Sequence, residues 1–387
     1  MEQYALHESR PARCAWTEIA GPVAYVGDFD VGFSKLHGWI KITISYPTIM
    51  FYLVRPGHSY FLSTSKGRAL LKRRLTIIAI ALCVFGILLY SVLRMQAIAP
   101  FVFKHVVTLK IRWGMTDKVV TGWSGWLFYE PELTYIVNRL PSDNLPKIVE
   151  FDRSLREQGM ALFVVPIPNK IEIYPEKFTL LPVARPVKKE RSELLRHLEI
   201  AGVRVVDIIP AFERAKAFGL LFDPYETHWT ALGIEVAAHA IAQRIDSALT
   251  ARAILRDTRY GVIDTILKTR GDLLDRLNKN GASTWYPFPV KRVLCPDGSL
   301  YNDDKKSEIM ILGDSYVNHG KWWNAHLGAQ IARLIGHPTR TYFSLLANTE
   351  GPCMFRLKPA MFPKNGIVIW AFSSRVLQYH LGSPEKN

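Results

Sequence analysis

The run Leu75–Leu93, LTIIAIALCVFGILLYSVL, holds no charged residue and comes close to the ~20 residues a helix needs to cross a bilayer. Its flanks set the orientation. Lys66, Arg68, Lys72, Arg73 and Arg74 crowd the upstream side, whereas Arg94 stands alone downstream until Lys104. That asymmetry keeps the N-terminal side in the cytoplasm and exports everything beyond Leu93. The run is too long and too far from Met1 for a cleaved signal peptide, and it lacks a clear small-residue cleavage site. The expected layout is a cytoplasmic segment over 1–72, a transmembrane helix over 75–93, a linker over 94–112 and an exported domain over 113–387. Residues 1–72 show an apolar patch, Tyr46–Val54, but no sustained period of 3.6 or 2. They read as an irregular cytoplasmic tail, or as an extension upstream of a start near Met50.

Beyond the membrane run, short apolar stretches rich in β-branched residues alternate with helical ones. Strands are expected at Ala161–Pro168, Val203–Ile209, Glu308–Gly313, Arg340–Leu345 and Gly366–Phe372. Helices are expected over Leu145–Gln158, Lys188–Ile200, Ala231–Ala248 and Lys321–Ile335. This alternation implies an α/β fold, with a mostly parallel sheet between two helical layers and ligands at the carboxyl ends of its strands. With 387 residues and 49% hydrophobic content the chain can bury such a core. Its formal net charge of +15 calls for an anionic partner. Nucleic acid is disfavoured, because the chain has no zinc-ligand spacing, no RNA-binding aromatic signature and no glycine-rich phosphate loop. Nothing indicates a metal or organic cofactor. Of the cysteines, Cys14 falls in the cytoplasmic segment and Cys83 in the membrane run. Cys295 and Cys353 are exported, where a disulfide and two separate thiols both fit.

One strand end carries chemistry. In ILGDSYVNHG, Ile311–Gly320, an apolar run stops at Gly-Asp-Ser, so Ser315 is either a nucleophile at a strand tip or the cap of the next helix. A serine hydroxyl needs a base, and the base needs a carboxylate to fix its tautomer. FDPYETHWTALG, Phe222–Gly233, supplies both: His228 as the base and Glu226, two residues earlier, as the carboxylate. His319, four residues after Ser315, is the rival base, and Asp314 either orients a group or caps the helix.

These stretches together resemble the AlgX/AlgJ family of alginate acetylation proteins, whose exported domains are SGNH hydrolase-like. ETHWTALG is similar to that family's Asp-x-His-Trp block and LGDSY to its serine block. TGWSGWLFY (Thr121–Tyr129), VVPIPNKIEIYPE (Val164–Glu176) and VIWAFSSRVL (Val368–Leu377) resemble three further blocks in the same order, and GDLLDRL from Gly271 is a fainter match. The layout, one membrane helix and one such domain without a recognisable carbohydrate-binding module, is closer to the AlgJ type.

The resemblance implies a three-layer SGNH-like α/β/α domain in the periplasm, anchored in the inner membrane. It would O-acetylate an exported, alginate-like polysaccharide through an acetyl group carried on Ser315, with His228 as base and then acid and Glu226 as orienting carboxylate. It also implies a membrane-bound O-acyltransferase as acetyl donor. Two alternatives stay open: an acetylesterase running the same chemistry towards water, and a polysaccharide-binding subunit without activity. One departure stands out. The family usually has Asp where this chain has Glu226, which makes Asp223 the substitute candidate for the triad acid. Trp229 and Tyr316 either line a sugar groove or pack in the core. Lys170 and Arg375 either meet an anionic polymer or stand as solvated strand-end charges. The glycines of GWSGWLF are expected to shape a turn around buried aromatics.

Overall fold

The structure is a computed structural model that describes residues 30–36, 39–45, 49–52, 65–93, 99–179, 189–277, 285–343, 351–352, 354–356 and 358–381. The chain divides into two compact units, 1–87 and 88–387. In the first, Asp30–Leu36, Trp39–Ser45 and Ile49–Tyr52 form a three-stranded antiparallel sheet. The sequence reading found no period there, yet Ile40, Ile42 and Ile44 alternate with Lys41, Thr43 and Ser45, the period of a strand. Cys14 and Cys353 lie outside the described residues, and Cys295 is a half-buried free thiol. The helix Ser65–Leu93 contains the apolar span Lys72–Ser91, with mean hydropathy 2.1 and side chains exposed along its length. It has the length and composition to cross a membrane.

In the second unit a five-stranded parallel sheet runs in the order Arg340–Phe343, Ile309–Gly313, Ile367–Ser373, Ala161–Ile167, Arg204–Val205. Every residue of its three inner strands is buried. That explains their composition: ALFVVPI, IMILG and IVIWAFS are continuous apolar runs, because helices cover both faces of a parallel sheet. All five expected strands exist, although Val203–Ile209 shrinks to the edge strand Arg204–Val205. The expected helices are Asn144–Arg156, Lys189–Ile200 and Ala231–Ala251, while Lys321–Ile335 resolves into a 3₁₀ turn, Lys321–Trp323, and a helix, Leu327–Ile335.

Two smaller pieces flank the strand ends. Met115–Thr116, Val119–Thr121 and Leu127–Tyr129 make a short antiparallel sheet. Gly261–Thr269 and Tyr286–Leu294 make a two-stranded ribbon that the sequence reading missed. Pro287 and Pro289 demote Tyr286–Leu294 in any strand reading, but a two-stranded ribbon tolerates them because each strand keeps a free edge.

Candidate functional site

The strand Ile309–Gly313 delivers Ser315 to the carboxyl end of the sheet. Gly313 pairs with Ala371 on the neighbouring strand, and a Cβ there would come within 1.9 Å of the Ala371 carbonyl oxygen. Only glycine lets the backbone turn so close. The cap of the next helix is Asp314 and not Ser315. Asp314 Oδ1 accepts from Tyr316 N at 3.0 Å, and its Oδ2 accepts from Ser373 N at 2.8 Å, clamping the turn to the end of the adjacent strand. Ser315 opens the short helix Ser315–Asn318, is partly exposed, and its hydroxyl makes no hydrogen bond among the described residues.

The loop FDPYETHW closes on itself through a bridge between Phe222 and Trp229, and Thr230 caps the helix that follows, its hydroxyl accepting from Gly233 N at 3.2 Å. Leu127 N donates to Pro224 O at 2.9 Å, so the TGWSGWLFY segment holds this loop from the other side. Within it Glu226 Oε1 lies 2.7 Å from His228 Nδ1. Asp223 is engaged elsewhere: its Oδ1 accepts from Tyr225 N at 2.7 Å and from Tyr286 OH at 2.8 Å. Glu226, despite its extra methylene, is the carboxylate on the imidazole.

The methylene is accommodated by a residue that the sequence reading passed over. Glu226 Oε2 accepts from the backbone N–H of Asp272 at 2.9 Å, and the Asp272 carboxylate accepts from Thr227 N and Thr227 Oγ1 at 2.6 and 2.7 Å. The only sequence signal was the faint match starting at Gly271, where a positive φ of 73° and the nearby Tyr225 carbonyl demand glycine. The Glu226 and Asp272 carboxyl groups are also close enough for each to shift the proton affinity of the other. Burial, and then the Asp272 charge, push Glu226 up to about 8. Burial opposes the Asp272 charge too, but hydrogen bonds from Glu226 and Thr227 and the nearby His228 outweigh it, so Asp272 is the member that ionises.

His228 packs edge-on against Tyr316, with ring centroids 5.0 Å apart, and stacks on His319 at 4.7 Å and 10°. Phe288 and Trp323 in turn meet His319 edge-on. Burial, before any charge effect, lowers both histidines to about 4, so both are neutral at pH 7. With Nδ1 engaged by Glu226, the buried Nε2 of His228 has no partner among the described residues and is open to take a proton. His319 Nε2 is equally unpartnered, but its stacking on His228 makes it a wall of the site. Glu226, His228 and His319 each place a potential metal-ligand atom within 4.8 Å of the others. Imidazole lone pairs lie in the ring plane, however, and two nearly parallel rings do not direct them at one point. The trio is poorly built for a single ion.

The groove-lining expectations are corrected by burial. Trp229, Tyr316 and Lys170 are fully buried, beyond the reach of a polymer, and each has a structural task. Trp229 packs edge-on against Tyr316. Lys170 Nζ donates to Leu127 O at 2.9 Å and fixes the segment that holds the Glu226 loop. Tyr316 OH is 3.0 Å from both Glu132 Oε1 and Thr227 O. Arg375, whose side chain is 12% exposed, is paired with the fully buried Glu132 at 3.1 Å. Burial raises the Glu132 carboxyl, and Arg375 and Lys170 oppose that rise. Replacing Glu132 with Ala is therefore expected to cost about 3–5 kcal/mol in denaturant unfolding, because it strands the Arg375 charge.

A pH dependence of stability follows from the site. His228 and His319, lowered from 6.5 to about 4, bind protons more weakly folded than unfolded, so their contribution is complete above pH 6.5 and is lost as pH falls towards 4. Glu226, raised from 4.5 to about 8, contributes fully below pH 4.5, and that contribution is lost as pH rises through 8. Two histidines against Glu226 make stability climb from pH 4 to about 6.5, and above that Glu226, with the raised Glu132 acting in the same direction, makes it fall towards pH 8. Urea midpoints measured across this range are expected to trace that dome. The fall above pH 6.5 is expected to flatten in Asp272→Asn, which removes the charge beside Glu226.

Comparison with known proteins bears on the family and the fold. The family model described as the SGNH hydrolase-like domain of the acetyltransferase AlgX matches residues 119–333. The probable alginate O-acetylase AlgJ of Pseudomonas putida is 28% identical over 282 residues, covering 67% of this chain and 70% of the relative. The corresponding protein of Pseudomonas aeruginosa is 24% identical over 287 residues, with the same shares. Among solved structures, the O-acetyltransferase domain of Pseudomonas putida AlgJ superposes with a TM-score of 0.53 at 20% identity, over 68% of this chain and 93% of that one. Pseudomonas aeruginosa AlgX gives 0.51 at 18%, over 72% and 68%. Both likenesses extend to the SGNH-like fold of the second unit.

Proposed function

We propose, since the chain belongs to the family of SGNH hydrolase-like acetyltransferases described for AlgX, that it moves acetyl groups onto an anionic, alginate-like polysaccharide through Ser315. The observation that carries this is the arrangement of His228: Nδ1 held by Glu226 at 2.7 Å, Nε2 unpartnered, and the ring packed against Tyr316, the neighbour of Ser315. His228 Nε2 takes the Ser315 proton as Oγ attacks the acetyl carbonyl. The donor leaves with that proton, and acetyl-serine remains. A sugar hydroxyl then attacks the ester while His228 takes its proton; the acetyl group passes to the sugar, and Ser315 recovers its hydrogen. Glu226 holds the tautomer that leaves Nε2 open.

Relatives named as alginate O-acetylases and the net charge of +15 support a polyuronate acceptor. The charge flanking Lys72–Ser91 supports a single-pass inner-membrane anchor with residues 113–387 in the periplasm. The resemblance to the alginate acetylation proteins implies a membrane-bound O-acyltransferase as the acetyl donor.

The test is mass spectrometry of the purified protein after a chromogenic acetyl ester, with and without oligouronate. An acetyl adduct on Ser315 that moves to the oligosaccharide is the expected result. An adduct released only to water would make the protein an esterase. Without an adduct, the binding-subunit alternative takes over.

A further inference from the structure

The helix Ala99–Gly114, APFVFKHVVTLKIRWG, lies N-terminal to the part of the chain that matches the family. It has two apolar faces where a surface helix needs one. The inner face buries Phe103 and Val107 in the core and packs Ile111 against it, and Lys110 Nζ donates to Phe178 O at 2.7 Å. The outer face repeats at every fourth position, Phe101, His105, Leu109 and Trp113. On it Phe101, Leu109 and Trp113 are 63%, 55% and 77% exposed. Among the described residues no packing covers them.

The polar residues of this helix identify what would cover that face. Apart from Lys110, which is bonded on the inner face, the helix carries Lys104, His105 and Arg112 and no acidic residue at all. The Arg112 guanidinium stands over the Trp113 ring at 5.5 Å, and His105 rests on Phe101 with centroids 4.2 Å apart. Tryptophan and phenylalanine on a helix that also carries Lys104 and Arg112, without acids, is the composition of a helix lying in a bilayer interface, where rings enter the acyl boundary and cations meet phosphate headgroups. The chain also keeps such a surface within reach. The apolar helix ends at Leu93, and the connection to Ala99 spans at most about 20 Å.

We propose that Phe101, Leu109 and Trp113 seat the catalytic unit on a membrane surface bearing anionic phospholipid headgroups, the exported leaflet of the membrane that Lys72–Ser91 crosses. This rests on the membrane-anchor reading above and adds to it a second, peripheral contact. The domain is then held beside the bilayer from which the acetyl donor works.

The test uses the full chain in liposomes of phosphatidylethanolamine and phosphatidylglycerol that contain a photoactivatable phospholipid with its diazirine near the glycerol. Adducts are mapped by peptide mass spectrometry. Lipid adducts are expected on residues 99–114 as well as on 72–91, and not around Phe218, which is 84% exposed but distant in sequence. The combined variant Phe101→Asp, Leu109→Asp and Trp113→Asp changes only exposed side chains. It is expected to lower the adducts on 99–114 roughly tenfold and leave those on 72–91 unchanged. Labelling of 72–91 with 99–114 no higher than the Phe218 region would overturn the proposal and spare the anchor. Loss of labelling at 72–91 would remove the anchor reading, and the proposal with it. In native membranes, cross-links from 99–114 to a protein neighbour in place of lipid would assign the stripe to a protein partner and overturn the proposal as well.

Discussion

Ser315→Ala is expected to lower acetyl-ester turnover by about four orders of magnitude or more and to eliminate the acetyl adduct. The hydroxyl is the only atom removed, and nothing in the described structure leans on it: Asp314, not Ser315, caps the helix and ties it to Ser373. The thermal midpoint should therefore stay where it is, so a loss of activity reports chemistry and not folding. Turnover of a chromogenic acetyl ester, followed beside circular dichroism melting, separates the two. The same variant should fail to acetylate oligouronate. A variant that kept turnover would move the nucleophile elsewhere in the site, and a variant that melted early would show that the hydroxyl supports the turn after all.

The central sheet was legible because its composition follows from its burial. Ala161–Ile167, Ile309–Gly313 and Ile367–Ser373 are covered on both faces, and an unbroken apolar run is what such strands require. That Glu226 and His228 meet was legible from their spacing, two residues apart in one loop, and from the resemblance of ETHWTALG and LGDSY to the family's blocks. Asp272 was not legible. It stands 46 residues from Glu226 along the chain, and only the fold brings its backbone N–H to that carboxylate. Trp229 and Tyr316 failed in the opposite way, since an aromatic side chain suits a sugar and a core equally and its identity does not reveal which way it faces. The ribbon Gly261–Thr269 with Tyr286–Leu294 was hidden by its prolines, which weigh against a strand only where both edges must pair.

Glu226→Gln is expected to lower turnover by up to about four orders of magnitude, because an amide NH₂ facing Nδ1 selects the imidazole tautomer whose Nε2 carries the proton. Such a base has no lone pair to offer Ser315. Glu226→Asp tests geometry instead of charge. The two oxygens of Glu226 span His228 Nδ1 at 2.7 Å and Asp272 N at 2.9 Å, and a side chain one methylene shorter cannot hold both. A loss of roughly one to two orders of magnitude is expected from such a misplacement, even though aspartate is the residue that relatives are expected to carry here. Asp223→Asn should be mild, since that carboxylate serves Tyr225 N and Tyr286 OH and does not touch the imidazole. Asp272→Asn separates support from charge. Its backbone N–H still meets Glu226, but the like charge that lifts the Glu226 carboxyl is gone, so any limb of the kcat/KM profile near pH 8 should move to lower pH. A severe loss in Asp223→Asn with none at Glu226 would transfer the triad acid upstream. An unmoved limb in Asp272→Asn would show that burial alone, and not the paired carboxyl, sets the protonation of the acid that orients His228.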